Sequence, residues 1–195
     1  MMEEREIEVL FILAIRDFGR EDRRNEIHLT DLTSECFRKV WFEKKSPYPE
    51  DIDGIFRLWE GKALHEASKI FENHEMVLEL EGVKTRIDEY GNGVLVEKKF
   101  VTFMPRDLND LKKYYQHYIM QVSLEALFLV ENGYQFKQAF LLFYKRGEKD
   151  ERERPVKAFD VTGMIDLEQA RALFQERKKQ LEEILSASEP PEIPP

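Results

Sequence analysis

The sequence carries one cysteine, Cys36, in 195 residues. A single thiol excludes an internal disulfide framework and fits a reducing cytoplasm. Alone, it also cannot hold a zinc or iron–sulfur site. A membrane-spanning run is missing: the apolar stretch Val9 to Ile15 falls far short of the roughly 20 residues a span needs. The start, Met1-Met2-Glu3-Glu4, has the wrong charge for a secretory leader. Excess positive charge is missing too. The 30 Lys and Arg are outnumbered by 39 Asp and Glu, for a net charge of −9. That argues against a protein holding nucleic acid by bulk electrostatics alone. It leaves room for a nuclease, whose metal ligands are themselves acidic.

What is present is a core. Hydrophobic residues make up 42% of the chain, enough for one domain. Apolar periodicity predicts helices over 3–18 (Ile7, Leu10, Phe11, Ala14, Ile15), from Thr30 or Asp31 through Leu32, Cys36, Val40 and Trp41, and over 51–73. The pattern then changes. Residues 76–90 alternate as one strand or two, and 94–102 are rich in Val and Phe. Gly91-Asn92-Gly93 between them is a hairpin signal. A helix follows from Leu108 to Val130, closed by Asn132-Gly133. Strands are expected over 136–144 and 155–161, joined by a charged loop 145–154. A charged helix spans 166–186, and a proline-rich tail covers 187–195. The order predicts an α/β (α+β) fold: a central mixed sheet flanked by helices. A helical region, 1–75, precedes a core, 76–186, in one compact unit.

The chemistry sits in the hairpin. Side chains alternate along a strand, so Glu97 and Lys99 share a face and Lys98 points away. A two-residue Gly91-Asn92 turn would pair Asp88 with Leu95 and Arg86 with Glu97. Asp88 and Glu97 are then diagonal neighbours, roughly 7–8 Å apart at the backbone. Two carboxylates so placed converge on one divalent ion, Mg²⁺ or Mn²⁺ by the preference of oxygen ligands. The metal would polarise a phosphoryl oxygen and lower the pKa of a bound water. Lys99 would orient that water or neutralise charge on the phosphorane.

An E-x-K on its own is usually a surface ion pair worth little. Specificity comes from the company it keeps. His65 lies on a predicted helix with Gly61 one turn earlier, and a nitrogen ligand would favour Mn²⁺. Gln121 and Glu125 lie one turn apart on a nearly all-apolar helix half, where buried polar groups need partners.

Five segments in order resemble the CRISPR-associated RecB-like exonucleases of the PD-(D/E)XK superfamily. They are Leu29-Thr-Asp-Leu-Thr-Ser-Glu-Cys36, Gly61-Lys-Ala-Leu-His65-Glu66, Gly82-Val-Lys-Thr-Arg-Ile-Asp88, Val96-Glu97-Lys98-Lys99 and Gln121. The resemblance covers residues 28 to 186. It implies a restriction-endonuclease-like core and a metal held by His65, Asp88, Glu97 and the backbone carbonyl of Lys98. Lys99 would be the catalytic lysine, with Gln121 positioning Lys99 or the DNA backbone. It implies action on DNA, often at single-stranded ends, and spacer-integration proteins as partners.

The sequence departs from that pattern at two places. Glu125 stands where the glutamine motif has an aromatic residue. Cys36 matches the first of four cysteines that hold a four-iron, four-sulfur cluster, and the other three are not in this chain. Either the chain is cut before a cysteine-rich end, with Cys36 near the missing part and the tail after Ser186 loosely held, or it is a cluster-free branch with Cys36 buried as a small apolar residue. Besides a nuclease, the residues leave open a catalytically idle DNA-binding or assembly component, and a restriction or repair endonuclease of the wider superfamily.

Overall fold

Residues 25–46, 52–146 and 155–192 are described by a computed structural model. The expected helix over 3–18, Pro47 to Pro49, most of the charged loop and the last three residues lie outside the described residues. Six strands, β1 (Ile27–His28), β2 (Asn73–Leu80), β3 (Val83–Gly91), β4 (Val94–Val101), β5 (Gln138–Lys145) and β6 (Val156–Asp160), form one sheet among the described residues. Antiparallel pairing joins β2 to β3, β3 to β4 and β5 to β6, while β1 runs parallel to β3 and β4 parallel to β5. The sheet is mixed and flanked by helices, as expected. No helix among the described residues is long and apolar enough to cross a membrane.

Two turns set the hairpins. Glu81 and Gly82 both have positive φ, 49° and 81°, and split the expected 76–90 segment into β2 and β3. The second turn falls on Asn92 and Gly93, with φ of 54° and 85°, rather than on Gly91-Asn92. Positive φ at both central residues makes the tight turn whose twist matches a hairpin. Gly91 instead makes room for an aromatic ring, since a Cβ there would lie 2.6 Å from Cδ1 of Phe71. The pairing is therefore Gly91 with Val94, Tyr90 with Leu95 and Glu89 with Val96, a correction to the expected register. Moving the turn by one residue shifts the pairing sum by two, so each side chain keeps its face.

The helices are shorter than their sequence periods suggest. The predicted helix through Leu32 and Trp41 is two, α1 (Leu29–Leu32) and α2 (Phe37–Lys45). Asp31 does not start α1 but closes a capping box, accepting the N–H of His28 at 2.8 Å. Cys36 caps α2 and is exposed, so it is not the buried core residue expected of a cluster-free chain. α3 covers Ile52–Ala67 and gives way to β2, where the sequence pattern extends the helix through 68–73. The helix expected over 108–130 breaks at Tyr115 into α4 (Leu108–Tyr114) and α5 (Gln116–Glu131), and Asp107 caps α4 through the N–H groups of Asn109 and Asp110. These two supply the crossover that parallel pairing of β4 with β5 demands. α6 (Leu167–Ser186) is capped by Asp166 and packs on α5 through an edge-to-face contact of Phe128 with Phe174 at 5.6 Å. The segment after it is tied down: Trp41 Nε1 donates to the carbonyl of Ala187 at 3.4 Å and Arg38 to that of Pro191.

One consequence of the topology positions the site. β2 occupies one edge of β3 along its length, from Val83 to Tyr90. The other edge is shared by β1, at Val83 and Lys84, and β4, at Glu89 to Gly91. Between them β3 and β4 part, and Asp88 lies at the fork.

Candidate active site

At the fork the ladder is replaced by a side chain. Asp88 Oδ2 accepts the backbone N–H of Lys98 at 2.8 Å. The β3–β4 pairing ends at Glu89 with Val96, one residue short of Asp88 and Glu97, and the two carboxyls lie near enough for the charge on Asp88 to raise Glu97. The other Asp88 oxygen meets His65 Nδ1, delivered by α3, at 3.1 Å.

α5 closes the site from the opposite side. Lys99 Nζ donates to Glu97 Oε1 at 2.6 Å and to Gln121 Oε1 at 2.7 Å. The Gln121 amide donates to Glu97 Oε1 and to Glu125 Oε1, both at 2.7 Å. That orientation of the amide alone matches its acceptor to the cation and its donors to the carboxyls. Lys99 also lies 4.7 Å from the centre of the Tyr118 ring. Asp88, Glu97, Lys99, Gln121 and His65 are thus brought together. Glu125 belongs with them, which its place in an apolar helix half hints at and the family pattern obscures.

Burial and like charge govern the electrostatics. Glu97 is 3% exposed; burial, and then the Asp88 charge beside it, push it up to about 7. Burial also drives Glu125 well above the ordinary carboxylate range, reinforced by Glu97. Asp88 goes the other way: burial would raise it, but the His65 hydrogen bond and charge, with the Lys98 amide, hold it low. His65 is raised in return, since Asp88 outweighs its own burial. Lys99 stays a cation because Glu97 and Glu125 outweigh desolvation.

The residues fit a divalent cation by one direct observation: Glu97 Oε2 is buried and has no hydrogen-bond partner. Burial, and then the Asp88 charge, oppose ionisation of this carboxyl, and a cation at that oxygen would relieve both. His65, Asp88 and Glu97 form a chain rather than a closed trio. Among the described residues the one group of three with ligand atoms all within 4.8 Å is Glu66, His74 and Glu75.

A cavity of about 500 Å³ opens over Asp88, Glu97, Lys99 and Gln121. Arg57, Lys62, Lys84 and Arg86 line it, against Glu26, which pairs with Lys84, and Glu75, which pairs with Arg86 at 3.3 Å, so the rim carries a small excess of positive charge on a chain of net charge −9. Lys98 faces away, as alternation requires, and is fully buried in an ion pair with Glu89.

Neither a protein-family model nor a curated protein matches the chain.

Proposed function

We propose that this chain is a metal-dependent deoxyribonuclease with a PD-(D/E)XK core, hydrolysing phosphodiester bonds in the cavity above Asp88, Glu97 and Lys99. The observation that carries the reading is the pairing of two repelling carboxyls, one with an unused buried oxygen, with a lysine held 2.6 Å from Glu97. A surface ion pair has no need of such a setting.

Asp88, Glu97, His65 and the carbonyl of Lys98 would hold Mg²⁺ or Mn²⁺, which when bound polarises a phosphoryl oxygen and acidifies water. The rest falls to the chain's own groups. His65, freed from Asp88, presents a ring nitrogen. Lys99 lies beside the carboxyls, placed to stabilise negative charge gathering on phosphorus. Gln121 fixes Lys99 and keeps Glu97 and Glu125 apart. The cationic rim draws the phosphate backbone towards an otherwise acidic protein. By the resemblance of its motifs, the substrate is DNA with single-stranded ends, in spacer acquisition or related processing beside spacer-integration proteins.

Labelled single- and double-stranded DNA incubated with Mg²⁺, Mn²⁺ or chelator tests this. Degradation with metal and none with chelator is expected. No degradation of either substrate under any of these conditions would return the reading to a DNA-binding component with idle chemistry.

A further inference from the structure

A second cluster starts on the opposite face of the same hairpin, at Glu89 and His74, and reaches round the strand edge to Glu75, which also lines the cavity over Asp88. Glu89 is fully buried. It takes Lys98 Nζ, the N–H groups of Ile70 at 3.0 Å and Phe71 at 2.8 Å, and His74 Nδ1 at 2.8 Å. A carboxylate so loaded only accepts, so His74 carries its proton on Nδ1. With that proton on Nδ1, Nε2 is the ring atom left to meet a ligand. That side chain is 7% exposed, and Nε2 is buried without a hydrogen-bond partner. The nearest anion to it is Glu66 Oε1, at 4.0 Å.

Glu75 completes the group. Neighbours on a strand ordinarily point to opposite faces. At Glu75, though, φ is 50° and the β2–β3 ladder passes from His74 to Met76 without it. The break lets His74 and Glu75 turn to the same place, where Glu66 arrives from α3. Their ligand atoms lie within 4.8 Å of one another. Glu75 is also paired with Arg86 at 3.3 Å.

We propose that Glu66, His74 and Glu75 form a second cation site, one that takes a zinc-type divalent ion and is independent of Asp88 and Glu97. A carboxylate that fixes the far nitrogen of a histidine is the usual support of a metal-binding imidazole. Glu89 has that position. One imidazole and two carboxylates suit Zn²⁺ better than Mg²⁺, which prefers oxygen throughout. Tetrahedral zinc, about 2.0–2.1 Å from each donor, sets the donors roughly 3.3–3.5 Å apart. Glu66 is exposed and has the freedom to close that distance. Water would supply a fourth donor. Bound zinc ties α3 to β2 and steadies the turn of helix that carries His65.

Zinc binding to the full chain, measured by competition with a chromophoric chelator, tests the site. The D88N/E97Q double variant removes the carboxylates of the proposed nuclease site while keeping their shape. It should still bind one equivalent of Zn²⁺ and melt at a higher temperature with it. Adding Glu66→Gln should weaken that binding at least tenfold, and adding His74→Gln should abolish it. Co²⁺ in place of Zn²⁺ should give the visible bands of a four-coordinate ion, lost with Glu66→Gln. The site is overturned if D88N/E97Q binds no zinc, or if Glu66→Gln leaves affinity and spectrum unchanged. Should the His74 variant not fold, the exposed Glu66 position decides alone. In the parent chain, too, Glu66→Gln must weaken the binding of one equivalent at least tenfold. Failure here leaves the nuclease reading untouched, and loss of nuclease activity leaves zinc binding untouched.

Discussion

Gln121 holds Lys99 by accepting from its ammonium at 2.7 Å, and with its amide donates to the same Glu97 oxygen that Lys99 contacts. Replacing Gln121 with Met should remove these two bonds and the one its amide donates to Glu125, and keep the volume. A lysine free to swing loses the geometry on which charge stabilisation depends. Turnover on DNA should fall by about tenfold to a hundredfold, a smaller loss than removing a direct donor. KM should stay within a few-fold. Loss of the amide between two carboxyls should also move the acidic limb of the pH–rate profile upward. An unchanged pH profile with unchanged kcat would reduce Gln121 to a core residue.

Lys99 itself is expected to matter more. Lys99→Ala removes a cation needed most when charge builds on phosphorus, so kcat should drop by about a hundredfold to a thousandfold or more. DNA binding, measured by anisotropy in Ca²⁺, should stay within a few-fold. Asp88→Ala should lose both metal binding and activity. Equal activity of Lys99→Ala and the parent chain would rule out the assignment.

Much of this site is legible from alternation alone. Asp88, Glu97 and Lys99 share a face in the sequence because a strand has period two, and the structure keeps them there although the turn sits one residue later. Gly91-Asn92-Gly93 offers two overlapping turns, and the close approach of Phe71 to Gly91, a tertiary contact, tells them apart. Glu125 is harder to read. Its meaning depends on Gln121 and Glu97 arriving from another element. The split of β2 from β3 rests on positive φ at Glu81, a residue that gives little local sign of it. The break at Tyr115 is likewise tertiary, its hydroxyl donating to the carbonyl of Phe103 at 2.6 Å.

The pH dependence of stability carries a definite sign. Folded Glu97 titrates at about 7 and returns to the ordinary carboxylate range on unfolding. The fold therefore binds that proton more tightly, and stability rises as pH falls from 8 towards 5. Glu125, raised for the same reason, acts in the same direction. His65, raised by Asp88, adds stability that is complete below about 6.5 and lost above. Asp88 is held low and opposes this only once pH falls below about 4. In chelator, urea midpoints should thus increase from pH 8 to pH 5, by at most about 1.4 kcal/mol per pH unit for each proton. Glu97→Gln should flatten the slope, and Mn²⁺ should stabilise most at pH 8. A midpoint that rises with pH over this range would contradict the assignment.

The buried pair on the far face gives a last expectation. Lys98 and Glu89 have side chains fully out of solvent, so their value lies in not being separated. Removing one partner strands the other charge where water cannot reach it, a loss of about 3–5 kcal/mol. Lys98→Met should therefore destabilise strongly even though methionine fills most of the space. Glu89 retains two backbone amides and His74 as donors, so this single variant should fall at the mild end of that range. Glu89→Leu leaves the ammonium with only the carbonyl of Ser68, at 2.7 Å, and should fall at the severe end. The double variant Lys98→Met with Glu89→Gln removes both charges together. It should recover at least half of the loss seen in Glu89→Leu, because a neutral amide still meets His74 and one backbone donor. Urea denaturation of these three variants and of Glu89→Gln alone decides it. If the losses of Lys98→Met and Glu89→Gln simply add in the double variant, the two residues are not coupled, and the pair is incidental to the fold.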